Sequence, residues 1–369
     1  MSLTQAQAQA QARAAGTAPA ETPRFPGVRP VRVGPASTVL RPRYLVVVGA
    51  LLVVAAALMA VSVALGDLGL SVAEVLAILV GGGDDGDRFV VLGLRLPRAL
   101  TGLLVGVALG AAGAITQSVS RNPLASPDVL GVTAGASVGA VAMIVLAPTG
   151  GAVLGVPAAA LLGGLAAAVA VYALAWRQGV DGFRLVLVGI GVSAFGTSLT
   201  TWLLVQAELN DAATATVWLT GSLNGRGWDH VVPVAVTIAV VALLAGPAAF
   251  ALRALSLGDQ TATGLGVRTQ VTRLVLVLLA VALASVATAA AGPVPFVALV
   301  APQVALRLTR SPTPPLVASG LLGGCLLLAS DVVARTVLPV PLPAGVVTAV
   351  IGAPFLLHLL RRRIREVTP

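Results

Sequence analysis

Long apolar stretches, separated by short polar or Gly/Pro-containing segments, run through the chain from residue 44 onwards. A membrane-spanning helix needs about 20 consecutive apolar residues, and nine stretches meet or approach that length. A tenth stretch, residues 296–306, is shorter, and by length alone a re-entrant or interfacial turn is the alternative. The nine longer stretches are residues 44–65, 99–119, 129–147, 156–176, 185–205, 231–252, 274–291, 316–334 and 342–360.

The distribution of arginine indicates whether residues 296–306 also cross the membrane. If the N-terminus is cytoplasmic and all ten stretches cross, 18 of the 23 basic residues lie inside, in agreement with the positive-inside rule. If residues 296–306 do not cross, Arg361, Arg362 and Arg363 fall outside. We therefore predict an all-α polytopic membrane protein with about ten transmembrane helices and both termini in the cytoplasm. The arginines left outside are Arg88, Arg95, Arg98, Arg226 and Arg335.

The two ends of the chain differ in composition from the apolar stretches. Residues 1–43 begin with a Gln/Ala-rich run, continue with Pro and Arg, and contain no apolar core of a secretory signal. Such a composition is typical of disorder. The predicted organisation is a disordered cytoplasmic tail over residues 1–43, a transmembrane domain over residues 44–360 and a cytoplasmic tail over residues 361–369.

The overall composition supports the membrane assignment and excludes several functions. Charged residues make up 10% of the chain, whereas a soluble domain carries about 25%. Every basic residue is an arginine, so the chain lacks a Walker A lysine and an amine for a Schiff base. The net charge of +9 follows from the cytoplasmic arginines, so the predicted partner is the lipid bilayer and no nucleic acid. A lysine-free, Ala/Val/Arg-rich chain is typical of a GC-rich bacterial genome. For a multi-pass chain of such an origin, the expected location is the bacterial cytoplasmic membrane.

Few side chains within the predicted spans can carry chemistry. Cys325 is the single cysteine, and His230 and His358 are the only histidines, so no disulfide, metal site or catalytic group is predicted. Asp331 is the one clear acidic residue at membrane depth, where an ion-coupled carrier needs such a group. Arg335 follows one helical turn later, which favours a structural i,i+4 pair. The energy for transport is therefore expected from another subunit.

Two polar segments have more than one interpretation. Residues 95–98 (RLPR) lie where the chain re-enters the membrane from outside, and proline is favoured in the first turn of a helix. Arg95 and Arg98 are either interfacial anchors or, with Arg335, a cationic docking patch for an acidic extracytoplasmic partner. In the cytoplasmic residues 257–266, Asp259 is predicted to N-cap a short helix. This segment is either a plain connector or a contact for an ATPase.

Small residues recur at four-residue spacing in three predicted spans. Such stripes let helix backbones approach closely in a membrane, so packing is the favoured interpretation. A smooth wall of a translocation path is the alternative. The stripes are Gly102, Gly106 and Gly110; Gly131, Gly135 and Gly139; and Gly189, Ser193 and Thr197.

Eight short motifs follow one another along the chain: 95–98 (RLPR), 113–117 (GAITQ), 121–132 (RNPLASPDVLGV), 257–266 (LGDQTATGLG), 296–297 (FV), 331–335 (DVVAR), 342–345 (LPAG) and 352–355 (GAPF). In this order they resemble the FecCD family of ABC-importer permeases, which serve iron–siderophores, haem and cobalamin. The resemblance runs from residue 44 to residue 363. It is specific because several spaced motifs match in order.

The resemblance implies a cobalamin-importer-permease-like fold with ten spans per subunit. It also implies a dimer with a second permease, the same or paralogous, that encloses the pathway. Two cytoplasmic ATPases would bind ATP and Mg, while this chain would hold no cofactor. An extracytoplasmic substrate-binding lipoprotein would deliver the substrate.

The resemblance also implies roles for individual residues. Arg95, Arg98 and Arg335 would meet acidic residues of the binding protein. Two further sets follow from the matching motifs. The ATPase-coupling residues would be Leu257, Gly258, Asp259, Ala262, Leu265 and Gly266. The inner gate would contain Asn122, Pro123 and Leu124, together with Gly182 and Phe183.

The chain departs from the family pattern at two places. Ala298 and Gln303 replace a glycine and a histidine of the family, and residues 311–315 (SPTPP) replace an Asp-His-Arg stretch. The function predicted from the sequence is import of an iron–siderophore-type chelate by alternating access, driven by partner ATPases. The alternatives are a haem or cobalamin permease, an ion-coupled secondary carrier and an intramembrane enzyme. The enzyme is disfavoured because no paired catalytic groups such as His-Glu-x-x-His occur.

Overall fold

The computed structural model describes residues 29–33, 36–66, 70–147, 152–176, 182–337 and 342–367. Over these ranges the chain forms two strands and a series of helices. The strands are β1 (Arg29–Val33) and β2 (Ala36–Leu40). The helices are α1 (Pro42–Ala64), α2 (Val72–Leu79), α3 (Asp85–Arg88), a π-helix (Phe89–Arg95), α4 (Leu96–Ser120), α5 (Val132–Leu146), α6 (Ala152–Ala175), α7 (Gly182–Gln206), α8 (Leu209–Leu219), α9 (Trp228–Ser256), α10 (Asp259–Gly264), α11 (Thr269–Ala291), α12 (Val297–Thr309), α13 (Leu316–Thr336) and α14 (Ala344–Val367).

The described helices account for all ten predicted crossings. Seven are long and apolar enough to span a membrane: Pro42–Ala64, Asp85–Ser120, Gly155–Ala175, Phe183–Gln206, Trp228–Ala245, Thr269–Ala291 and Leu316–Thr336. Three shorter apolar helices, Val132–Leu146, Val297–Thr309 and Ala344–Leu359, lie at the remaining three predicted spans. The predicted all-α polytopic fold is therefore confirmed, and residues 296–306 belong to a separate helix.

The two ends of the chain contain more regular structure than their composition predicts. Strands β1 and β2 pair antiparallel, with Val33 opposite Ala36, inside the tail that was predicted to be disordered. The two strands contain three valines and one threonine, which favour extended backbone. Residues 1–28 lie outside the described part of the chain. At the other end α14 continues to Val367, beyond the predicted boundary at residue 360, because arginine is a good helix former.

The α-helix of the second crossing begins as residues 95–98 predict, with Arg95 at its N-cap and Pro97 in its first turn. The sequence did not predict the helical structure before it. Asp84 caps α3 by accepting a hydrogen bond from the Asp87 amide over 2.7 Å, and the backbone then continues through the π-helix Phe89–Arg95 into α4. A π-helical turn bonds each amide one residue further back than an α-helix does.

Close backbone contacts hold the central helices together. A Cβ added at Gly106 would collide with the carbonyl oxygen of Gly323 on α13, and one at Gly323 would collide with Gly106. Between α5 and α6 the glycines Gly135 and Gly163 stand in the same relation. In a membrane the hydrophobic effect does not drive helices together, and close backbone packing of this kind stabilises their contact instead. The packing interpretation therefore applies to the stripes of α4 and α5.

Backbone hydrogen bonds join the turn after α8 to the end of α11 and to the start of α14. The Gly345 amide donates to the Gly221 carbonyl over 3.0 Å, and the Ser222 amide donates to the Ala291 carbonyl over 2.8 Å. Gly292 has φ +74°, and Phe296 has the left-handed φ of +66° immediately before α12. These turns separate α11 from α12, so α12 is a helix of its own.

Candidate docking, coupling and gating sites

A buried carboxylate joins two of the three arginines that the sequence indicates for docking. Asp331 on α13 is 1% exposed and accepts hydrogen bonds from Arg98 Nη2 over 2.8 Å and Arg98 Nε over 3.3 Å. Arg335 Nε, one turn further along α13, donates to the same carboxylate over 3.1 Å. The side chains of Arg98 and Arg335 are 22% and 18% exposed. We call Asp331, Arg98 and Arg335 the outer cluster.

Neighbouring segments supply further partners to the outer cluster. Arg98 Nη1 donates to Asn224 Oδ1 over 3.2 Å, and Arg335 Nη2 donates to Ser62 Oγ over 3.0 Å. Asn224 lies between α8 and α9, and Ser62 lies near the end of α1. The cluster therefore connects α1, α4, α13 and the connection before α9. The sequence indicated the i,i+4 pair within α13, but it carried no signal for Asn224 or Ser62.

Arg95 lies at the same end of α1. Its Nη1 donates to the carbonyl oxygens of Val63 and Ala64 over 3.1 and 3.0 Å, and its guanidinium packs against Gly66. An arginine that bonds the last carbonyls of a helix also interacts favourably with the negative end of the helix dipole. Arg335 Nη1 reaches the nearby Leu65 carbonyl over 3.4 Å. The structure thus brings Arg95 and Arg335 to the end of α1, and the buried carboxylate of Asp331 joins Arg335 to Arg98.

A second polar group near the same connection was not singled out by sequence reasoning. Arg226 Nη1 lies 3.2 Å from His230 Nε2, and His230 Nδ1 lies 3.0 Å from Asp229 Oδ2. Burial lowers the pKa of Arg226, against the charge of Asp229, which raises it. Trp228 Nε1 donates to the Leu92 carbonyl over 3.0 Å and so attaches the start of α9 to the π-helix. The i,i+4 spacing of Arg226 and His230 was the available signal.

In the segment 257–266, which the sequence predicts to be cytoplasmic, α10 lies between two glycines with positive φ. Gly258 has φ +105° and Gly266 has φ +81°. Ala262 is fully buried, whereas Leu257 and Leu265 are each more than half exposed. The short helix is therefore seated on the protein through Ala262 and presents two leucines outward.

Asp259 does not cap α10, and that prediction is wrong. Gly258 occupies the N-cap position, and the Asp259 side chain binds two arginines instead. Arg273 Nη2 on α11 donates to both carboxylate oxygens over 3.1 and 3.0 Å, and Arg121 Nη2 donates to Oδ1 over 3.2 Å. The two guanidinium groups give the carboxylate three charge-assisted bonds from cationic donors, more than the backbone amides of a cap would supply. The coupling candidate Asp259 is thereby connected to the end of α4.

The turn that follows α4 holds the first part of the predicted inner gate. Arg121 ends α4 with φ +51°, and the Asn122 amide donates to the Gln117 carbonyl over 3.2 Å. Asn122 Oδ1 accepts a hydrogen bond from the Leu124 amide over 3.0 Å. This bond closes an Asx turn that has Pro123 at its centre and reverses the chain direction. We call residues 121–124 the α4 turn.

The second part of the predicted gate lies at the start of α7. Gly182 begins this helix, and Phe183 is exposed. Further along α7, Ser193 Oγ donates to the Asp128 carbonyl over 3.3 Å, and a Cβ at Gly189 would collide with the Val129 carbonyl oxygen. The helix that carries Gly182 and Phe183 therefore packs on the loop that continues from the α4 turn.

The substituted residue Gln303 has a defined partner. Gln303 Nε2 donates to Gln117 Oε1 over 2.7 Å, and Gln117 Nε2 donates to the Leu299 carbonyl over 3.1 Å. Both glutamines are buried. A Cβ at Gly113 would collide with the carbonyl oxygen of Ala298, the second substituted position. The first departure from the family pattern, at Ala298 and Gln303, thus lies at the contact between α4 and α12. The second, residues 311–315, lies in the connection between α12 and α13.

The exposed side of α7 carries three hydroxyl residues among exposed apolar side chains such as Leu187, Ile190 and Val205. Thr197, Ser198 and Thr201 are exposed, and each hydroxyl donates to the carbonyl four residues earlier over about 3 Å. The residues of the third small-residue stripe therefore do not all have the same role. Gly189 serves packing, whereas Thr197 faces away from the protein.

The fold and these sites define a multi-pass helical membrane protein of the permease class. Apolar helices form the body, and the ionic clusters lie at the helix ends. The chain belongs to the FecCD transport family, whose profile matches residues 44–362.

Individual relatives and one solved structure agree with this assignment. The chain is 41% identical to the ferric enterobactin transport system permease protein FepG of Escherichia coli (strain K12) over 302 residues, 82% of this chain and 91% of that protein. It is 39% identical to the cobalamin import system permease protein BtuC of Halobacterium salinarum (strain ATCC 700922 / JCM 11081 / NRC-1), covering 74% of each. A solved inward-facing metal-chelate type ABC transporter superposes with a TM-score of 0.76 at 25% identity, covering 86% of this chain and all of that one.

Proposed function

We propose that this chain is the membrane-spanning permease subunit of a binding-protein-dependent ABC importer for an iron–siderophore-type chelate. The observation that carries the proposal is the segment 257–266, because a seated helix with two outward leucines suits the cleft of a cytoplasmic ATPase. The relatives support the substrate class, since the ferric enterobactin permease is 41% identical to this chain.

The energy source follows from what the chain contains. A Walker A loop needs a lysine, and the sequence has none. Two partner ATPases would therefore bind ATP and Mg and grip Leu257, Gly258, Asp259, Ala262, Leu265 and Gly266. The permease itself carries no ATPase site and needs no cofactor.

Docking of the substrate-binding lipoprotein is assigned to the arginines at the end of α1. Arg95, Arg98 and Arg335 carry three positive charges, and Asp331 neutralises one of them. Arg98 and Arg335 still expose about a fifth of their side chains. An acidic side chain of the binding protein would approach these edges and find a favourable field.

The pathway is assigned to the space between this chain and a second permease. The exposed side chains of Thr197, Ser198 and Thr201 on α7 are small, and their hydroxyls donate to their own helix, so a partner helix could approach α7 closely there. The gates would lie at Asn122, Pro123 and Leu124 and at the start of α7, with both termini on the cytoplasmic side of the bacterial membrane.

The identity of the chelate has one specific alternative. The 39% identity to a cobalamin import permease favours cobalamin as a second candidate, and haem belongs to the same group of large chelates. An ion-coupled carrier has less support, because the carboxylate of Asp331 is engaged by two arginines.

Reconstitution tests the proposal. Proteoliposomes holding the permease, its ATPase partner and the binding protein should take up an iron-labelled siderophore only when ATP is supplied. The double variant Leu257→Ala/Leu265→Ala should lose ATPase assembly and uptake, whereas Leu209→Ala, which removes an exposed leucine from α8, should retain both. Uptake driven by a proton gradient without ATP would overturn the proposal.

A further inference from the structure

The ATPase-facing segment and the α4 turn meet through one ion pair. Arg121 and Asp259 are 138 positions apart in the chain, and Arg121 Nη2 lies 3.2 Å from Asp259 Oδ1. The same guanidinium lies over Gly258, where an added Cβ would be 3.7 Å from Nη1. Arg121 directly precedes Asn122, so its side chain touches α10 while its backbone forms the α4 turn.

The two arginines that bind Asp259 differ in burial. Arg273 is 3% exposed and binds both carboxylate oxygens, whereas Arg121 is 44% exposed and binds one. Breaking a buried pair leaves an uncompensated charge, but an exposed pair is replaced by water at little cost. Arg273 therefore anchors α10 permanently to α11. The bond to Arg121 is the one that can open and close.

The backbone of Arg121 adds a second reason. Its φ of +51° is a left-handed conformation that residues other than glycine adopt at a cost. The Asp259 carboxylate on one side and the Asn122 amide bond to Gln117 on the other hold it there. When the side-chain bond opens, the turn can relax.

We propose that the Arg121–Asp259 ion pair carries the movement of α10 to the inner gate at Asn122, Pro123 and Leu124. Arg121 is thus a positioning residue: it acts on the gate through the turn and touches no substrate. This inference rests on the proposed function, because it needs an ATPase that moves α10. The pair transmits force while closed and resets when Arg121 is released to water.

If the Arg121–Asp259 ion pair only held the structure together, its loss would have a different effect from the loss of a contact that transmits movement. Loss of a clamp weakens assembly, and it lowers ATP hydrolysis and transport together. Loss of a transmitting contact leaves assembly and hydrolysis in place and lowers the amount of substrate moved per ATP. The ratio of transport to hydrolysis therefore distinguishes the two roles.

The experiment uses the complete complex of permease, ATPase partner and binding protein in proteoliposomes, with an iron-labelled siderophore as the probe. Arg121→Gln is compared with Arg121→Lys and with Arg253→Gln, which removes an exposed arginine at the cytoplasmic end of α9. ATP hydrolysed and label imported are measured in the same samples. Size-exclusion chromatography reports assembly.

We expect Arg121→Gln to assemble and hydrolyse ATP as the wild type does, and to move about fivefold less label per ATP, the upper end for an exposed pair. Arg121→Lys should restore much of the ratio, and Arg253→Gln should leave it unchanged. A wild-type ratio in Arg121→Gln, an equal loss in Arg253→Gln, or loss of assembly overturns the inference. If the wild-type complex shows no ATP-dependent uptake, the proposed function itself fails.

Discussion

Asp331 and Arg98 are 233 positions apart, yet the carboxylate of the first accepts two hydrogen bonds from the guanidinium of the second. They lie on α13 and α4, the helices that also meet at Gly106 and Gly323. The ionic contact stands at the outer end of this pair of helices and the glycine contact further in. The arginines proposed for docking therefore also stabilise the bundle.

Replacing Asp331 by Asn should destabilise the protein. The substitution leaves Arg98 and Arg335 facing a neutral amide, and the cost should be about 2 kcal/mol because both arginines keep partial access to water. Unfolding of the detergent-solubilised protein measures it. Glu208→Gln, at an exposed position before α8, should leave stability unchanged. Equal stability of the two variants would contradict a structural role for the outer cluster.

Reversing the charge of Arg95 should weaken docking of the binding protein. Arg95 bonds main-chain carbonyls at the end of α1, whereas Arg335 bonds the carboxylate of Asp331. We choose Arg95→Glu because the same change at Arg335 would place a second carboxylate beside Asp331. We expect association with the binding protein to slow about tenfold at low salt, measured by surface-immobilised binding kinetics. Arg88→Glu changes the net charge equally and should have little effect. The docking role is refuted if both variants bind alike.

Adding a methyl group at Gly106 should force α4 away from α13. Gly106→Ala should cost about 2 kcal/mol, since overpacked backbones must shift. Gly191 on α7 has open space around its Cα, and Gly191→Ala should gain about 0.5 kcal/mol from the lower entropy of the unfolded chain. Thermal unfolding in detergent compares the two. Stabilisation by both substitutions would mean that α4 and α13 do not approach closely.

The buried glutamine pair should show coupling in a double-mutant cycle. Gln303→Leu leaves the Gln117 amide oxygen without its donor and should cost about 2 kcal/mol. In Gln117→Leu/Gln303→Leu both groups are removed, so the loss should be about 1 kcal/mol smaller than the sum of the single variants. The free energy of unfolding of all four proteins provides the cycle. Additive losses would show that the two side chains act independently.

Helix number could be predicted because its causes are local. Each span depends on the apolar length of its own segment, and the short α12 was recovered from the arginines that flank later segments. The motifs likewise indicated where polar residues stand along the chain. Pro97 correctly indicated the first turn of α4, but the π-helix Phe89–Arg95 before it was missed, because the residue pattern carries no signal for a π-helical turn.

Which charged side chains pair with one another could be learned only from the folded structure. Asp331 was correctly placed near Arg335 by spacing, but no pattern indicated Arg98, which arrives from another helix. For Asp259 the sequence favoured a local cap, and tertiary packing supplied two arginines that outcompete it. The docking, coupling and gating roles of these residues stay predictions until the experiments above are done.

The amino-acid sequence by itself determined a membrane bundle, its number of crossings and its family, because apolar length, arginine bias and ordered motifs are properties of single segments. Only the tertiary structure decided which charges pair, which glycines touch and how α10 reaches the α4 turn. Several of those contacts, such as Arg98–Asp331, Gly106–Gly323 and Arg121–Asp259, join residues more than a hundred positions apart. Their energies depend on burial and distance, which arise when the helices pack.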